Sequence, residues 1–217
     1  VCSSDLFLGD DCPEEALTGL RERNIPLVET AQGPFEKISM RQNPDGLLAL
    51  ASTWESGLED LILGERPLVL VIDGVEKPGN LGAILRSAEA FGVDAVLCVD
   101  PSLDLFNPNV VRASQGLLFR VPVAVCQRDT AVSFLRSRGL RVCSTSAKVK
   151  QSIWKMDFRE PTAIVLGSEA WGLDSFWLEA ADEQMTIPMR GEADSLNLSV
   201  AVGCLLAEVN RQRQSEQ

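Results

Sequence analysis

Residues 67–217 alternate between apolar runs and amphipathic stretches, and this alternation constrains the fold more than any other feature. The run PLVLVID (67–73) is apolar almost throughout, as in a strand that is covered on both faces. Further strands are predicted at 94–100, 121–125, 140–145, 162–167 and 183–188. Helices are predicted at about 81–91, 109–117, 129–138, 174–181 and 195–213. Strands that alternate with helices predict an α/β fold, with helices on both faces of a parallel sheet.

The first 66 residues form a shorter and more acidic segment, with five Lys or Arg and 13 Asp or Glu. We predict a helix over 14–23 and strands within 24–30 and over 45–51. Residues 52–66 are interpreted as a linker with one helical turn. The leading VCSSDL lacks Met and matches a translated sequencing adapter, so we expect a non-native leader and leave it out of the fold prediction.

Composition excludes several kinds of chemistry. The chain has no histidine, and its six cysteines include no C-x-x-C pair. Histidine-based acid–base catalysis is therefore excluded, and no metal centre is expected. Because no apolar run approaches the roughly 18 residues that span a bilayer, and no secretory signal pattern is present, we expect a cytoplasmic protein without a membrane partner.

The net charge of −11 argues against binding nucleic acid through overall charge. Residues 130–156 nevertheless carry six basic and no acidic side chains. Such a local patch can bind phosphates on an otherwise acidic protein, although a solvated face with scattered bases is the alternative. The predicted RNA-binding residues are Arg136, Arg138, Arg141, Lys148 and Lys150.

The first motif, DGVEKPGNLGAILRSAEAFG (73–92), connects a strand to a helix. Asn80 stands where a helix N-cap is expected, and Arg86 follows within two turns. In an ordinary βα loop these would be a cap and a surface residue, so the motif alone does not settle a function.

The second motif, AIVLGSEAWGL (163–173), runs from a buried strand into G-S-E. Ligands of α/β proteins bind beyond the carboxyl ends of strands, and glycine allows the backbone to approach them closely. Both a nucleotide-binding loop and a plain turn fit this pattern.

The third motif, IPMRGEADSLNLSVAVGCLLAEVNRQR (187–213), ends in a helix that is apolar almost all round. Such a helix is buried, either in its own domain or in a subunit contact. Ser195 and Asn197 are two polar residues at its predicted start, where Ser195 could be a helix cap or part of a site.

In this order and spacing, the three motifs resemble the signatures of the SpoU/TrmH family of SPOUT RNA methyltransferases. The resemblance covers about residues 67–213, and 67–217 is expected to be the methyltransferase domain. Residues 39–51 resemble the end of the small L30e-like RNA-binding domain that precedes it in many members. Residues 1–51 are therefore expected to be a partial, N-terminally truncated L30e-like domain.

The resemblance implies a trefoil-knotted α/β domain, an exception to the usual unknotted topology, whose knot forms a pocket for S-adenosyl-L-methionine. It also implies a homodimer. The cofactor-binding positions that it indicates are Thr145, Gly167, Ile187, Met189 and Leu196.

The implied reaction is methylation of a ribose 2′-oxygen in RNA. By the resemblance, the catalytic positions are Asn80, Arg86, Glu169, Ser195 and Asn197. Because arginine stays protonated, we expect Arg86 to stabilise the developing alkoxide or to bind the adjacent phosphate. Glu169 is the only carboxylate of the set and is the candidate proton acceptor.

We expect large-subunit ribosomal RNA as the substrate, with transfer RNA as the alternative. A non-catalytic knotted RNA-binding protein is a second alternative. A dinucleotide-binding oxidoreductase is a third, although the loop reads G-V-E-K-P-G-N-L-G instead of G-x-G-x-x-G. Cofactor binding separates a methyltransferase from the last two.

Overall fold

The computed structural model describes residues 4–9, 12, 14–22, 25–40, 43–54 and 57–214. The chain divides into two units, which span residues 1–55 and 56–217. In the described part of the chain, no helix is both long and apolar enough to cross a membrane.

The N-terminal unit contains a three-stranded sheet in the order β2-β1-β3, in which β1 is parallel to β2 and antiparallel to β3. The strands are β1 (Ser4–Leu8), β2 (Leu27–Glu29) and β3 (Leu47–Ala51), and the helices are α1 (Glu14–Glu22) and α2 (Gln32–Ile38). α2 was not predicted from the sequence, and it contains Gly33 and Pro34. Both lie in its first turn, where proline is tolerated, and Phe35 is buried.

Ser4–Leu6, which the fold prediction left out as part of the suspected leader, begin β1. Leu6 and Leu8 are buried, whereas Asp5 between Ser4 and Leu6 is exposed. This is the period-two pattern of a strand with one covered face, and it continues across the end of the supposed leader.

The C-terminal unit contains a six-stranded sheet in the order β6-β5-β4-β8-β7-β9, with every neighbouring pair parallel. The strands are β4 (Leu68–Asp73), β5 (Ala95–Val99), β6 (Val123–Cys126), β7 (Arg141–Thr145), β8 (Thr162–Leu166) and β9 (Glu183–Met185). The predicted parallel sheet is thus confirmed. β9 ends earlier than the predicted 188, and Thr186 continues only as an isolated bridge to Ser152.

Helices cover both faces of this sheet, as predicted. They are α3 (Pro78–Ala90), α4 (Pro108–Ala113), α5 (Arg128–Ser137), α6 (Ser175–Ala180) and α7 (Leu198–Gln214). Along β4, Leu70 and Ile72 face the apolar core that includes α3, α4 and α7, while Val69 and Val71 face the core with α5 and α6. This two-sided burial explains why the strands are continuous apolar runs.

Residues 57–66 belong to the C-terminal unit, although the sequence indicated a linker over 52–66. A short 3-10 helix, Leu58–Asp60, provides the predicted helical turn. Leu58 and Leu61 are buried in the same core as α5 and α6, so this part of the segment is packed against the sheet.

The carboxyl ends of the parallel strands meet at one edge of the sheet, and the three motifs leave from that edge. Motif one follows β4, motif two follows β8, and motif three follows β9. Because β4 and β8 are neighbours and β7 separates β8 from β9, segments that are far apart in sequence converge there.

A charged network lies beneath these loops. Asp73 ends β4 with only 3% exposure, and Arg128 contacts both of its carboxylate oxygens, at 3.1 and 3.0 Å. Arg128 also bonds Asp174, at 2.5 Å, just before α6. Burial raises the pKa of Asp73, which the Arg128 guanidinium partly offsets. The network thus connects Asp73, where β4 ends and motif one begins, to Asp174, which follows motif two.

We expect Arg128→Met to lower the free energy of unfolding by about 2 kcal/mol at pH 7, because it leaves a buried carboxylate unpaired. The value lies below that for a fully buried pair, because the Arg128 side chain is 35% exposed. The ionised form of Asp73 is the costly one, so the deficit should shrink as the pH falls through its raised pKa. Urea unfolding at several pH values tests this, with exposed Arg159→Met as the control; an equal loss in both variants would contradict it.

Candidate active site

A cleft of about 380 Å³ opens at the carboxyl edge of the sheet. Its size is typical of sites that bind small molecules. The lining comes from the ends of β7, β8 and β9, the loops that follow them and the start of α7. All five positions that the resemblance assigned to the cofactor line this cleft: Thr145, Gly167, Ile187, Met189 and Leu196.

The cleft wall is mainly apolar, with polar groups at fixed places. Leu166, Met185 and Ile187 line it, and the hydroxyl of Thr145 is held by a 3.1 Å bond to the carbonyl of Val165. Apolar walls suit a flat heterocycle, and backbone groups supply hydrogen bonds at its rim. Within the described residues, no group of three His, Cys, Asp or Glu side chains could hold a metal ion.

Motif two forms a tight turn against this cleft. The Gly172 N–H donates to the carbonyl of Ser168 at 2.9 Å, and these residues form an antiparallel bridge. Gly172 has a φ of +67°, which glycine adopts readily. A Cβ on Gly167 would lie 2.1 Å from the carbonyl carbon of Gly172. Only glycine at 167 therefore allows the turn to close.

Glu169 joins the three motifs. Its carboxylate accepts hydrogen bonds from the side chains of Lys77 and Asn80 in motif one, and from the Asn197 amide of motif three at 2.8 Å. The Asn197 amide also donates to the Asn80 side-chain oxygen at 3.2 Å. Three of the five predicted catalytic residues thus form one cluster, with Lys77 as a fourth member.

Both predicted helix starts need correction. α3 begins at Pro78, because proline is favoured in the first turn of a helix. Asn80 therefore lies within that turn and is not the N-cap. α7 begins at Leu198, preceded by Asn197, whose side-chain oxygen accepts from the Ser199 N–H at 3.0 Å. Ser195 precedes the helix and lines the cleft instead of capping.

The charge state of Glu169 follows from these contacts. The hydrogen bond from Lys77 holds the pKa of this carboxyl below its usual range, and the Asn80 hydrogen bond lowers it further. The side chain is 22% exposed. Glu169 is therefore ionised at neutral pH, and its depressed pKa makes it a weaker base than an ordinary glutamate. Lys77 was not among the predicted site residues, because its only signal in the sequence is a basic residue in the motif-one loop.

Arg86 lies apart from this cluster. It follows Asn80 by six residues, or about 240° around the helix, so the two occupy different faces of α3. Arg86 is exposed and does not line the cleft. Its guanidinium has no ion pair or hydrogen bond within the described residues, so it is free to contact a substrate.

The predicted basic patch is divided between two places. Arg136, Arg138 and Arg141 lie where α5 ends and β7 begins, whereas Lys148 and Lys150 lie beyond the other end of β7. Arg141 is half-buried and pairs with Glu183 at 2.8 Å, so it is a structural residue. Lys148 lines the cleft. The five residues therefore form no continuous surface, because a whole strand separates them.

Comparisons with known proteins agree with this geometry. The model of the SpoU rRNA Methylase family matches residues 67–207. The chain is 35% identical over 199 residues to the 23S rRNA (guanosine-2'-O-)-methyltransferase RlmB of Pseudomonas aeruginosa, covering 90% of this chain and 77% of that protein. It is also 35% identical over 185 residues to an uncharacterized tRNA/rRNA methyltransferase of Synechocystis, covering 82% of this chain and 64% of the relative.

A solved structure is similar over nearly the whole chain. It is the SpoU methyltransferase AviRb from Streptomyces viridochromogenes in complex with AdoMet, with a TM-score of 0.88 and 27% identity. The match covers 97% of this chain and 83% of AviRb. The chain spans 64% of the length of the Synechocystis relative, 77% of that of RlmB and 83% of that of AviRb. From the family match and these relatives, the chain belongs to the SpoU rRNA methylase family.

Proposed function

We propose that this chain uses S-adenosyl-L-methionine to methylate a ribose 2′-oxygen in ribosomal RNA. The observation that carries the proposal is one sheet edge that holds a cofactor-sized cleft and, beside it, the cluster of Asn80, Glu169 and Asn197. The names of the relatives support the substrate class, and the AdoMet-bound AviRb supports the cofactor. We also propose that the protein acts in the cytoplasm.

The residues of the cleft fit the cofactor. Backbone groups of Gly167, Ile187 and Leu196 would hold it, with Thr145 and Met189 beside them. The closed turn at Gly167 supports this, since it brings main chain, without a side chain, to the cleft wall. When bound, the cofactor supplies an electrophilic methyl group on a sulfonium. The chain itself must position the ribose, and with Glu169 already hydrogen-bonded the hydroxyl proton would pass to water.

We assign Glu169 an orienting role. Its carboxylate already accepts from Lys77, Asn80 and Asn197, and its pKa is depressed. These bonds fix the motif loops relative to one another, which is what a reaction limited by positioning requires. Arg86 would act on the substrate, either on the developing alkoxide or on the neighbouring phosphate.

The proposal also includes the trefoil knot and the homodimer. The strand order supports the knot, because β8 lies between β4 and β7 and the chain returns after β9 to pack α7 on α3. The outer faces of α3 and α7 support the dimer, because these faces present small or apolar residues that are not buried. The residues are Ala83 and Ser87 on α3, and Val200, Gly203 and Ala207 on α7.

Transfer of a labelled methyl group tests the proposal. The chain is incubated with methyl-labelled S-adenosyl-L-methionine and either deproteinised large-subunit ribosomal RNA or total transfer RNA. We expect label in ribosomal RNA. Label in transfer RNA alone would favour the transfer-RNA alternative, and RNA binding with neither cofactor binding nor methyl transfer would favour a non-catalytic binding protein.

We expect Glu169→Gln to lower the rate of methyl transfer without changing the shape of the pH–rate profile from about pH 5.5 to 9. The reason is that the lowered pKa places titration of Glu169 below this range. The stabilisation it provides to the fold is present above the ordinary pKa of 4.5 and is lost as the pH falls through the lower folded value. Exposed Glu192→Gln is the control. Loss of an acidic limb in Glu169→Gln alone would instead identify Glu169 as the proton acceptor.

A further inference from the structure

Trp171 is the most exposed tryptophan among the described residues, with 89% of its surface accessible. Trp177, six residues later, is fully buried, and Trp54 and Trp154 are 44% and 55% exposed. Tryptophan usually buries most of its large apolar surface. Within the described part of the chain, neither a ring contact nor a side-chain hydrogen bond holds the Trp171 indole. The fold gives this side chain no packing role.

Trp171 is nevertheless held at a defined place. It lies at the tip of the motif-two turn, which the Ser168–Gly172 bridge closes. The backbone N–H of Trp171 donates to the Ser168 hydroxyl at 3.3 Å. It lines the cofactor cleft and follows Glu169 by two residues. The closed turn fixes the backbone from which the ring projects, so less backbone entropy is lost when the ring makes a contact.

The chemistry that suits this ring is a nucleobase. A ribose that reaches into a cleft is drawn away from its helix, so its base or a neighbouring base loses stacking. Proteins recover this loss by stacking unpaired bases on aromatic side chains. Lys148 lines the same cleft and is exposed, so a cation is available for the attached phosphate.

We propose that Trp171 stacks on an unpaired base of the substrate RNA at the mouth of the cofactor cleft. The proposal rests on the proposed function for the identity of the ligand as RNA. It adds a base-binding position beside the catalytic cluster, on the side of the cleft formed by motif two.

The test compares Trp171→Ala, Trp171→Phe and the control Trp154→Ala in the full chain. Fluorescence anisotropy measures binding of a single-stranded oligoadenylate of about 12 nucleotides, and of an abasic oligomer of equal length. We expect Trp171→Ala to weaken oligoadenylate binding about tenfold or more, and Trp171→Phe to retain most of the affinity. Binding of the abasic oligomer and the Trp154→Ala values should not change, and Trp171→Ala should lower affinity for S-adenosyl-L-methionine less than it lowers affinity for oligoadenylate.

Three results would overturn the inference. Unchanged oligoadenylate affinity in Trp171→Ala would show that the ring does not stack on RNA bases. A loss of cofactor affinity as large as the loss of oligoadenylate affinity would show that it contacts the cofactor instead, and a change in sedimentation would show that it packs against a second copy.

Failure of the inference is distinguishable from failure of the proposed function. Wild-type methyl transfer with unaltered RNA binding in Trp171→Ala overturns only the stacking inference. Tryptophan-dependent oligomer binding without any wild-type transfer overturns only the proposed reaction.

Discussion

Replacing Arg86 by alanine should lower methyl transfer at least about a hundredfold, or roughly 3 kcal/mol in transition-state energy. Affinity for S-adenosyl-L-methionine should be nearly unchanged, because Arg86 does not line the cofactor cleft. Stability should also be unchanged, because the exposed guanidinium has no ion pair within the described residues. The effect would thus be confined to the contact with RNA.

Two further variants sharpen this prediction. Arg86→Lys should restore little activity, because an ammonium cannot reproduce the planar donors of a guanidinium. Arg112→Ala removes another exposed arginine, at the end of α4, and should keep activity. Single-turnover transfer to an RNA that the wild type methylates gives the comparison. Full activity in Arg86→Ala would refute the role assigned to this residue.

Replacing Gly167 by alanine should reduce cofactor affinity more than tenfold and destabilise the C-terminal unit by about 1–3 kcal/mol. The added Cβ would lie 2.1 Å from the carbonyl carbon and oxygen of Gly172 and 2.5 Å from the Leu173 nitrogen. These are backbone atoms, so relief requires movement of the whole motif-two turn. That turn carries Glu169, and the cleft wall moves with it.

Gly191→Ala is the matched control, since Gly191 follows β9 near the cleft and a Cβ there would meet no atom within 4 Å. Calorimetric titration with S-adenosyl-L-methionine and thermal unfolding should show wild-type values for this control. Wild-type cofactor affinity in Gly167→Ala would mean that the turn does not shape the cleft as described.

Much of the sheet could be predicted from the sequence, because strands buried on both faces leave continuous apolar runs. The run at 67–73 corresponds to Leu68–Asp73, and the run at 162–167 to Thr162–Leu166. Helix starts were less predictable, because polar residues suggest a cap in several places. Pro78 and Gly79 suggested a loop before Asn80, yet both belong to the first turn of α3.

The candidate site was predictable only in part. Motif residues could be listed from the sequence, but the contact between Lys77 and Glu169 depends on two segments 92 residues apart. Nor could the division of the basic patch be seen, because a count of lysines and arginines over 130–156 ignores the strand that separates them. Arg141, paired with Glu183, shows that local charge counts do not reveal which side chains the fold already uses.

The location of the transferred methyl group tests the central claim most directly. Large-subunit ribosomal RNA is incubated with the chain and labelled S-adenosyl-L-methionine, and is then hydrolysed with alkali. A methylated 2′-oxygen blocks cleavage of the adjacent phosphodiester, so the account predicts that the label is recovered in alkali-resistant dinucleotides. Recovery of the label in mononucleotides, as methylation of a base would give, would contradict the account.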